Sequence, residues 1–231
     1  MKDLSLILPS RGRPAQLGRF FRSAWETASC PGLLEVVVYR DEDDPLTARV
    51  GGEGLELRMI TGPRARMGEV TRSCLEVSQG AILFFVNDDA VFRTRGWDER
   101  LRQALGEYPD GVLLAHINDA YYGEKGCTFP VVTRRTADLM EGFCPAEYRR
   151  HCIDSHVTDV FARLAALGWG RRRYLADVVL EHLHYELACA GYQETRLRVT
   201  DEDDQAVYHR LAGDRQRVAE KMAAYLAGYM P

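Results

Sequence analysis

Residues 81–89, Ala-Ile-Leu-Phe-Phe-Val-Asn-Asp-Asp, form an unbroken apolar run that ends in one amide and two carboxylates. Such a run is typical of a strand buried on both faces, as in a parallel sheet covered by helices. Adjacent carboxylates repel each other unless a positive charge lies beside them, and a divalent cation would supply that charge. The stretch therefore predicts a central strand that ends either at a metal site or at an acidic turn, formed by Asn87, Asp88 and Asp89.

Two earlier apolar runs also end in polar loops. Residues 4–8 (LSLIL) lead into Ser10-Arg11-Gly12-Arg13, and residues 34–39 (LEVVVY) lead into the acidic residues 41–44. Between the two runs, a helical face is indicated by the spacing of Leu17, Phe20, Phe21, Ala24, Trp25 and Ala28. This order predicts a parallel sheet, whose ligands bind beyond the carboxyl ends of its strands. We expect all three loops to open at the same edge of the sheet.

The rest of the chain continues the α/β pattern. Strands are predicted over residues 55–60, 112–117, 128–133 and 174–180, and helices over residues 68–77, 99–108 and 155–167. A final helix is predicted to begin at residues 201–204, because carboxylates suit a helix N-terminus. There is no internal repeat or linker. The predicted fold class is a single α/β, Rossmann-like domain over residues 1–231, with a mostly parallel central sheet flanked by helices and a C-terminal helix.

Composition narrows the function classes. The 231 residues are 46% hydrophobic and 28% charged, and the net charge of −4 weighs against an electrostatic nucleic-acid binder. The three arginines at 171–173 could contact an anion or lie solvated. The six cysteines lack C-x-x-C spacing, which argues against a zinc knuckle and favours reduced thiols. No apolar stretch approaches the roughly 18 residues of a membrane span. We expect a soluble, cytoplasmic protein.

Several side chains at the predicted sheet edge could carry chemistry. Arg11 and Arg13 follow a strand, where guanidinium groups suit phosphate, although they could also lie solvated at the surface. Asp41 and Asp43 could hydrogen-bond a nucleoside base or ribose, or belong to a solvated turn that ends at Pro45.

Two later segments add candidates. The last strand leads into Glu181-His182-Leu183-His184, whose two histidines would point to opposite faces. At most one of them is therefore expected to bind a metal. Asp154 and Asp159 lie near the start of a helix, and either could act as a general base. A plain N-cap is the alternative for Asp154.

The order of these motifs resembles inverting glycosyltransferases of the family-two type, which have the GT-A fold. The resemblance is carried by Leu8-Pro9-Ser10-Arg11-Gly12-Arg13-Pro14, Asp41-Glu42-Asp43-Asp44-Pro45 and Phe85-Val86-Asn87-Asp88-Asp89. The stretches 87–98 and 174–184 are particularly similar to small bacterial and phage members of this group. The similarity covers roughly residues 4–190.

The resemblance implies a metal-dependent, inverting transfer of a sugar from a nucleotide diphosphate donor, such as a UDP- or GDP-sugar, to an acceptor hydroxyl. It implies Mn²⁺ or Mg²⁺ held by Asp89 and His182, and a general base at Asp154 or Asp159, of which Asp154 is preferred. The candidates for donor binding are Pro9, Ser10, Arg11, Arg13, Asp41, Asp43, Arg66 and Asp88.

The resemblance also divides the chain. Residues 1–98 would form the nucleotide-sugar-binding half, residues 99–200 the acceptor and catalytic half, and residues 201–231 the C-terminal helix. The acceptor is not identified, although residues 121–124 and 141–143 are expected to contribute to its pocket. A nucleic-acid acceptor is disfavoured by the net charge but stays open.

Two departures from the family pattern keep other functions open. Asn87 stands at the first acidic position of the metal motif, and His156-Val157 stands where the usual Glu-Asp pair would precede the late helix. Both departures suit a catalytically inactive sugar-nucleotide-binding module. A nucleotidyltransferase shares the sheet, metal and nucleotide, but it usually begins with a Gly-rich loop, and residues 10–14 contain one glycine. An interaction scaffold would use the acidic loops only as turns.

Overall fold

An eight-stranded sheet with strand order β3-β2-β1-β4-β7-β6-β8-β5 forms the centre of the structure. The computed structural model describes residues 2–183 and 201–229, except for the side chains of residues 201 and 202. The strands are β1 (Leu4–Ser10), β2 (Leu34–Asp41), β3 (Glu56–Gly62), β4 (Ile82–Phe85), β5 (Ala90–Phe92), β6 (Leu114–Asn118), β7 (Pro130–Thr133) and β8 (Arg172–His182). The α-helices are α1 (Pro14–Thr27), α2 (Met67–Val77), α3 (Trp97–Gly106), α4 (Arg134–Leu139), α5 (Ile153–Ala166), α6 (Asp201–Arg210) and α7 (Ala212–Tyr229).

The sheet is parallel in its amino-terminal half and mixed beyond it. Strand β1 pairs in parallel with β2 and β4, β2 pairs in parallel with β3, and β6 pairs in parallel with β8. Strand β7 runs antiparallel between β4 and β6, and β5 runs antiparallel along β8. The predicted α/β class with a mostly parallel central sheet is confirmed. Because β1, β2 and β4 are parallel, their carboxyl ends share one edge, as predicted.

The central strands separate two apolar cores. In β1, Leu4, Leu6 and Leu8 face a core shared with α1 and α3, whereas Ile7 faces a core shared with α2, α5 and α7. The same alternation holds in β4, where Phe84 packs on one side and Phe85 on the other. This double burial explains why the strands are apolar throughout instead of alternating with polar residues.

The predicted C-terminal helix is present as two consecutive helices that are divided at Leu211. The Leu211 side chain is buried in a small cluster with Tyr148 and Cys152, in the loop before α5. Beyond it, Val218, Met222 and Leu226 are buried against the core. Within the described ranges, no helix has the length and apolar character that crossing a membrane requires.

A buried polar cluster joins the C-terminal helices to α5. The Tyr148 hydroxyl lies 2.9 Å from His156 Nδ1, and Arg215 Nε lies 2.5 Å from Asp159 Oδ2. His156 and Arg215 are almost fully buried. Burial, reinforced by the charge of Arg215, lowers the pKa of His156 to about 4, and Asp159 opposes this effect. The imidazole is therefore neutral in the folded protein at neutral pH.

We predict that His156 makes stability depend on pH between 6.5 and about 4. Within this window the unfolded chain binds a proton on His156 that the folded protein excludes, so the free energy of unfolding falls as the pH falls. Stability is highest above the pKa that His156 has in the unfolded chain. Below the folded pKa the free energy of unfolding is lower by about 3 kcal/mol. Urea unfolding at a series of pH values gives the free energy of unfolding as a function of pH. This free energy should change less steeply with pH for His156→Gln than for the wild type. The exposed His209, changed to Gln, is the control, and equal slopes for the wild type and His156→Gln would contradict this assignment.

Candidate functional site

Three loops meet at the edge formed by the carboxyl ends of β1, β2 and β4. Arg11 donates from Nη1 to Asp41 Oδ2 at 2.7 Å and from Nη2 to Asp43 Oδ2 at 2.9 Å. The backbone N–H of Gly12 donates to Asp44 Oδ2 at 2.8 Å. Gly12 has a φ of +64°, a left-handed conformation that glycine adopts without strain. The first two loops are thus joined by ion pairs and by a backbone contact that depends on this turn.

The third loop is joined to the first through Asp88. This carboxylate has no exposed surface, and its Oδ2 accepts a 2.7 Å hydrogen bond from the Ser10 hydroxyl. Arg13 Nη2 lies 2.6 Å from Asp88 Oδ1, and Arg13 Nη1 lies 3.4 Å from Asp89 Oδ2. Burial raises the pKa of Asp88 to about 7, against the opposing effects of Arg13 and Ser10. Arg13 is therefore the cation that lies beside both adjacent carboxylates.

Asp89 is placed beside His182 by the pairing of β5 with β8. Ala90 pairs with His182 in this antiparallel ladder, and the backbone N–H of Leu183 donates to the Asp89 carbonyl at 2.8 Å. As a result, His182 Nε2 lies 3.3 Å from Asp89 Oδ1. Burial opposes ionisation of Asp89, but the His182 contact and the charge of Arg13 outweigh it and hold the pKa of Asp89 below its ordinary value.

The pair of Asp89 and His182 has the donor chemistry that a divalent cation requires. Asp89 Oδ1 is buried and accepts no hydrogen bond of good geometry, so it has a lone pair available. Carboxylate oxygen is a preferred ligand of Mn²⁺ and Mg²⁺, and imidazole nitrogen is a common ligand of first-row divalent transition metals. Across the described ranges, no group of three or more His, Cys, Asp and Glu side chains converges on a metal position. The two residues fit a partial site that an oxygen-rich ligand would have to complete.

A cleft of about 400 Å³ opens beside this pair. Pro9 and Asn87 line it from the ends of β1 and β4, and His182 lines it from β8. Its apolar wall includes Phe85 and Phe143, whose rings stack with centroids 3.5 Å apart. Arg150, a cationic side chain, and the imidazole of His151 line the same cleft. The cleft therefore combines an apolar wall, a guanidinium group and one member of the Asp89–His182 pair.

The two candidate bases have different surroundings. Asp154 is exposed in the first turn of α5 and lines the cleft with Asn87 and His182. Asp159 lies one helical turn further on, where its Oδ2 is 2.9 Å from Arg163 Nε and 2.5 Å from Arg215 Nε. Burial raises the pKa of Asp159, but these two arginines outweigh that effect and hold it below the ordinary value. The structure thus brings Asp154, and not Asp159, to the cleft.

Arg66, one of the predicted donor-binding residues, lies apart from this group. Arg66 is exposed at the N-terminus of α2, next to Met67, which lines the cleft. His184, the alternative metal ligand, lies outside the described residues. Asp41 and Asp43 are engaged by Arg11, so a role in base recognition would use the atoms that Arg11 leaves accessible.

Comparison with solved structures identifies the fold. Staphylococcus aureus TarS matches over 90% of this chain and 42% of its own, with 15% identity and a TM-score of 0.60. The mannosyltransferase PcManGT from Pyrobaculum calidifontis, solved with GDP-Man and Mn²⁺, matches over 99% of this chain and 76% of its own, with 16% identity and a TM-score of 0.60. The chain has the GT-A fold.

A third match has the same fold. Glucosyl-3-phosphoglycerate synthase from Mycobacterium tuberculosis, solved with Mn²⁺, UDP and phosphoglyceric acid, matches over 97% of this chain and 78% of its own, with 16% identity and a TM-score of 0.55. The chain spans less than half of the full TarS structure. No protein-family model and no curated protein sequence matches it. The predicted GT-A fold is confirmed.

Two carboxylates that the sequence analysis did not single out hold the loops around this GT-A cleft. Asp119 Oδ1 accepts from the backbone N–H groups of Tyr121, Tyr122 and Gly123 at 2.8–3.1 Å. Asp204, at the start of the C-terminal helices, accepts at 2.6–2.9 Å from the backbone N–H groups of residues 149–151. Asp119 fits the Asx-turn pattern of an Asp that precedes a tight loop. No local signal in the sequence links Asp204 to a loop more than 50 residues earlier.

We predict that Arg13 stabilises the protein by compensating Asp88. At a pH above the raised pKa of Asp88, Arg13→Met leaves a buried carboxylate without its cation, which should lower the free energy of unfolding by about 3 kcal/mol. Adding Asp88→Asn should recover part of this loss, because an amide needs no counter-ion. Urea unfolding of both single variants and the double variant measures the coupling.

The control for this cycle is Arg22→Met, since Arg22 is more than half exposed and lies 3.8 Å from Glu53. We expect a change of less than about 1 kcal/mol there. Strictly additive effects of Arg13→Met and Asp88→Asn would show that the two residues are not coupled.

Proposed function

We propose that the protein transfers a sugar from a nucleoside diphosphate sugar, a UDP- or GDP-sugar, to an acceptor hydroxyl, with inversion at the anomeric carbon. The observation that carries this proposal is the convergence of Asp154, Asn87 and His182 on one cleft, with Asp89 behind His182. The GT-A fold supports it, because structural neighbours were solved with GDP-Man or UDP. At 16% identity these neighbours show the fold alone, so the donor and the reaction belong to the proposal.

The donor would bind along the edge where β1, β2 and β4 end. Ligands of open α/β sheets bind in this position, and Pro9 and Asn87 line the cleft there. We propose that the Arg11–Asp41–Asp43 group borders the nucleoside, and that Ser10, Arg13 and Asp88 keep the loops in place behind it. Arg66 lies near the cleft at the exposed start of α2, where a guanidinium could meet a phosphate.

We propose that Asp89 and His182 hold a divalent cation, Mn²⁺ or Mg²⁺. When bound, such a cation neutralises charge on the departing nucleoside diphosphate. The carboxylate and imidazole already lie side by side, so the chain would bind the ion without moving β5 relative to β8. Arg150 supplies further positive charge along the cleft.

Asp154 is the base in this proposal. A carboxylate can accept the proton of an acceptor hydroxyl as the oxygen attacks the anomeric carbon, and a direct attack of this kind inverts the configuration. Asp154 is exposed and lines the cleft, so an acceptor can reach it. The double engagement of Asp159 by Arg163 and Arg215 supports a role for that residue in the packing of α5 against the C-terminal helices.

We predict that a nucleoside diphosphate raises the melting temperature of the protein, and that Mn²⁺ enhances the effect. A ligand that binds only the folded state stabilises it by about 2.7 kcal/mol at a hundred times its dissociation constant. The measurement is thermal unfolding with UDP, GDP, CMP, ADP and dTDP, each with and without Mn²⁺. Asp89→Ala should remove the Mn²⁺-dependent part of the shift. Asp110→Ala is the control, because Asp110 pairs with Arg171 and does not line the cleft.

The same experiment can overturn the proposal. If no nucleotide shifts the melting temperature, the acidic loops are turns and the protein is not a nucleotide-sugar enzyme. Release of pyrophosphate from a nucleoside triphosphate would identify a nucleotidyltransferase instead.

We predict that Asp154→Asn abolishes most turnover whereas Asp159→Asn does not. Hydrolysis of the donor sugar measures this without an acceptor, because water takes the place of the acceptor hydroxyl. Loss of the base should slow release of the nucleoside diphosphate by about a hundredfold or more. Asp159→Asn should instead lower the free energy of unfolding by about 1–3 kcal/mol, since two arginines lose their charged partner. Full hydrolysis by Asp154→Asn, with a loss in folded Asp159→Asn, would reverse the two roles.

A further inference from the structure

Two tyrosines form an exposed aromatic corner at the mouth of the cleft. Tyr121 and Tyr122 are 66% and 56% exposed, and they are the most exposed large hydrophobic side chains among the described residues. Their rings are almost perpendicular, at 86°, with centroids 4.6 Å apart. Tyr122 also lines the cleft that contains Asp154 and His182. The corner therefore presents two aromatic walls beside the proposed reaction centre.

The backbone beneath this corner is held rigidly. Asp119 accepts hydrogen bonds from the N–H groups of both tyrosines, and its Oδ2 accepts a 2.6 Å hydrogen bond from the Thr128 hydroxyl. Gly126 lies directly under Tyr122, since a Cβ at Gly126 would approach Tyr122 Cβ to 2.5 Å. Little backbone conformational entropy is thus lost when a ligand contacts the rings, which favours binding.

The chemistry of the corner selects the class of ligand. Aromatic side chains offer an apolar face together with a polar hydroxyl, which suits a ring that has C–H groups on its faces and hydroxyls on its rim. A single-stranded nucleic acid would also stack on tyrosines, but such sites combine stacking with a positively charged groove. The exposed charges of this loop are one carboxylate and one ammonium, Glu124 and Lys125, which cancel. In the cleft beside it, the charge of Arg150 is likewise offset by the carboxylate of Asp154. A sugar ring needs no such groove.

We infer that Tyr121 and Tyr122 form the acceptor subsite, and that the acceptor is a carbohydrate whose pyranose ring stacks in the corner and presents a hydroxyl toward Asp154. This inference rests on the proposed function, because it names the acceptor of that same reaction. The two tyrosines are specificity residues, and the transfer chemistry remains with Asp154 and the Asp89–His182 pair.

The test is saturation-transfer NMR with cellotriose, maltotriose and chitotriose as probes. Each is titrated into the full-length protein in the presence of the nucleotide that stabilises it. We expect at least one trisaccharide to receive saturation in its ring C–H protons. The double variant Tyr121→Ala/Tyr122→Ala should weaken its apparent affinity by about tenfold. The double change to Phe should keep the affinity within about threefold, because the stacking faces remain.

Tyr229→Ala is the matched control, since Tyr229 is 48% exposed on α7 and its hydroxyl donates to the Pro109 carbonyl. It should bind the trisaccharide as the wild type does. The inference is overturned if no trisaccharide receives saturation, if the double alanine variant binds as the wild type, or if only an oligothymidylate binds in a tyrosine-dependent way.

The nucleotide measurement separates this inference from the proposed function. The double alanine variant should keep the wild-type thermal shift with nucleotide and Mn²⁺, because neither tyrosine belongs to the Asp89–His182 pair. A nucleotide shift without tyrosine-dependent sugar binding overturns the acceptor subsite alone. Absence of the nucleotide shift in the wild type overturns the proposed function.

Discussion

The organisation of the polar edge depends on the contact of Arg13 with Asp88 and Asp89. Two adjacent carboxylates, both almost fully buried, could not remain in place without a positive charge nearby. Arg13 reaches both of them from the loop after β1, and Ser10 of the same strand binds the Asp88 carboxylate. The contact therefore joins the end of β1 to the end of β4.

The features that follow from local sequence were predictable. Continuous apolar runs identified β1, β2 and β4, and parallel topology then brought their polar ends to one edge. The helices were predicted from the spacing of apolar residues, and their observed bounds differ from the predictions by one or two residues at most ends. These signals are contained within short windows, so no knowledge of distant contacts was required.

The features that depend on distant pairing could not be predicted in the same way. Strand β5 has three residues, too few for a periodic signal, yet its pairing with β8 brings Asp89 to His182. Sequence reasoning reached that pair only through a family resemblance. Asp154 and Asp159 were equivalent on spacing, and they differ because Arg215 comes from a helix more than 50 positions away. The helix α4 has six residues, which is also too short for a periodic signal, and it was not predicted.

The amino-terminal and carboxyl-terminal parts of the site are built by different means. Strand ends supply Pro9 and Asn87, whose positions follow from the ladder of hydrogen bonds in the sheet. Loops supply Tyr122, Arg150 and His151, and a loop needs anchoring before its side chains can hold a defined position. Asp119 and Asp204 provide that anchoring through several backbone N–H groups each. Because each carboxylate binds backbone N–H groups, these contacts do not depend on the side chains that the loops present to the cleft.

The composition of the proposed metal site has a consequence for the order of binding. A hard divalent cation takes six or more ligands, and the described part of the chain offers Asp89 and His182 as its convergent donors. The remaining positions must be filled by water or by oxygens of a diphosphate. Arg13, already beside Asp89, also lowers the electrostatic gain from a second cation at this edge. Affinity for the metal alone should therefore be low, and the nucleotide and the metal should bind together. In that case the cation would reach its full coordination only when the donor is in the cleft, which couples occupancy of the site to the presence of substrate.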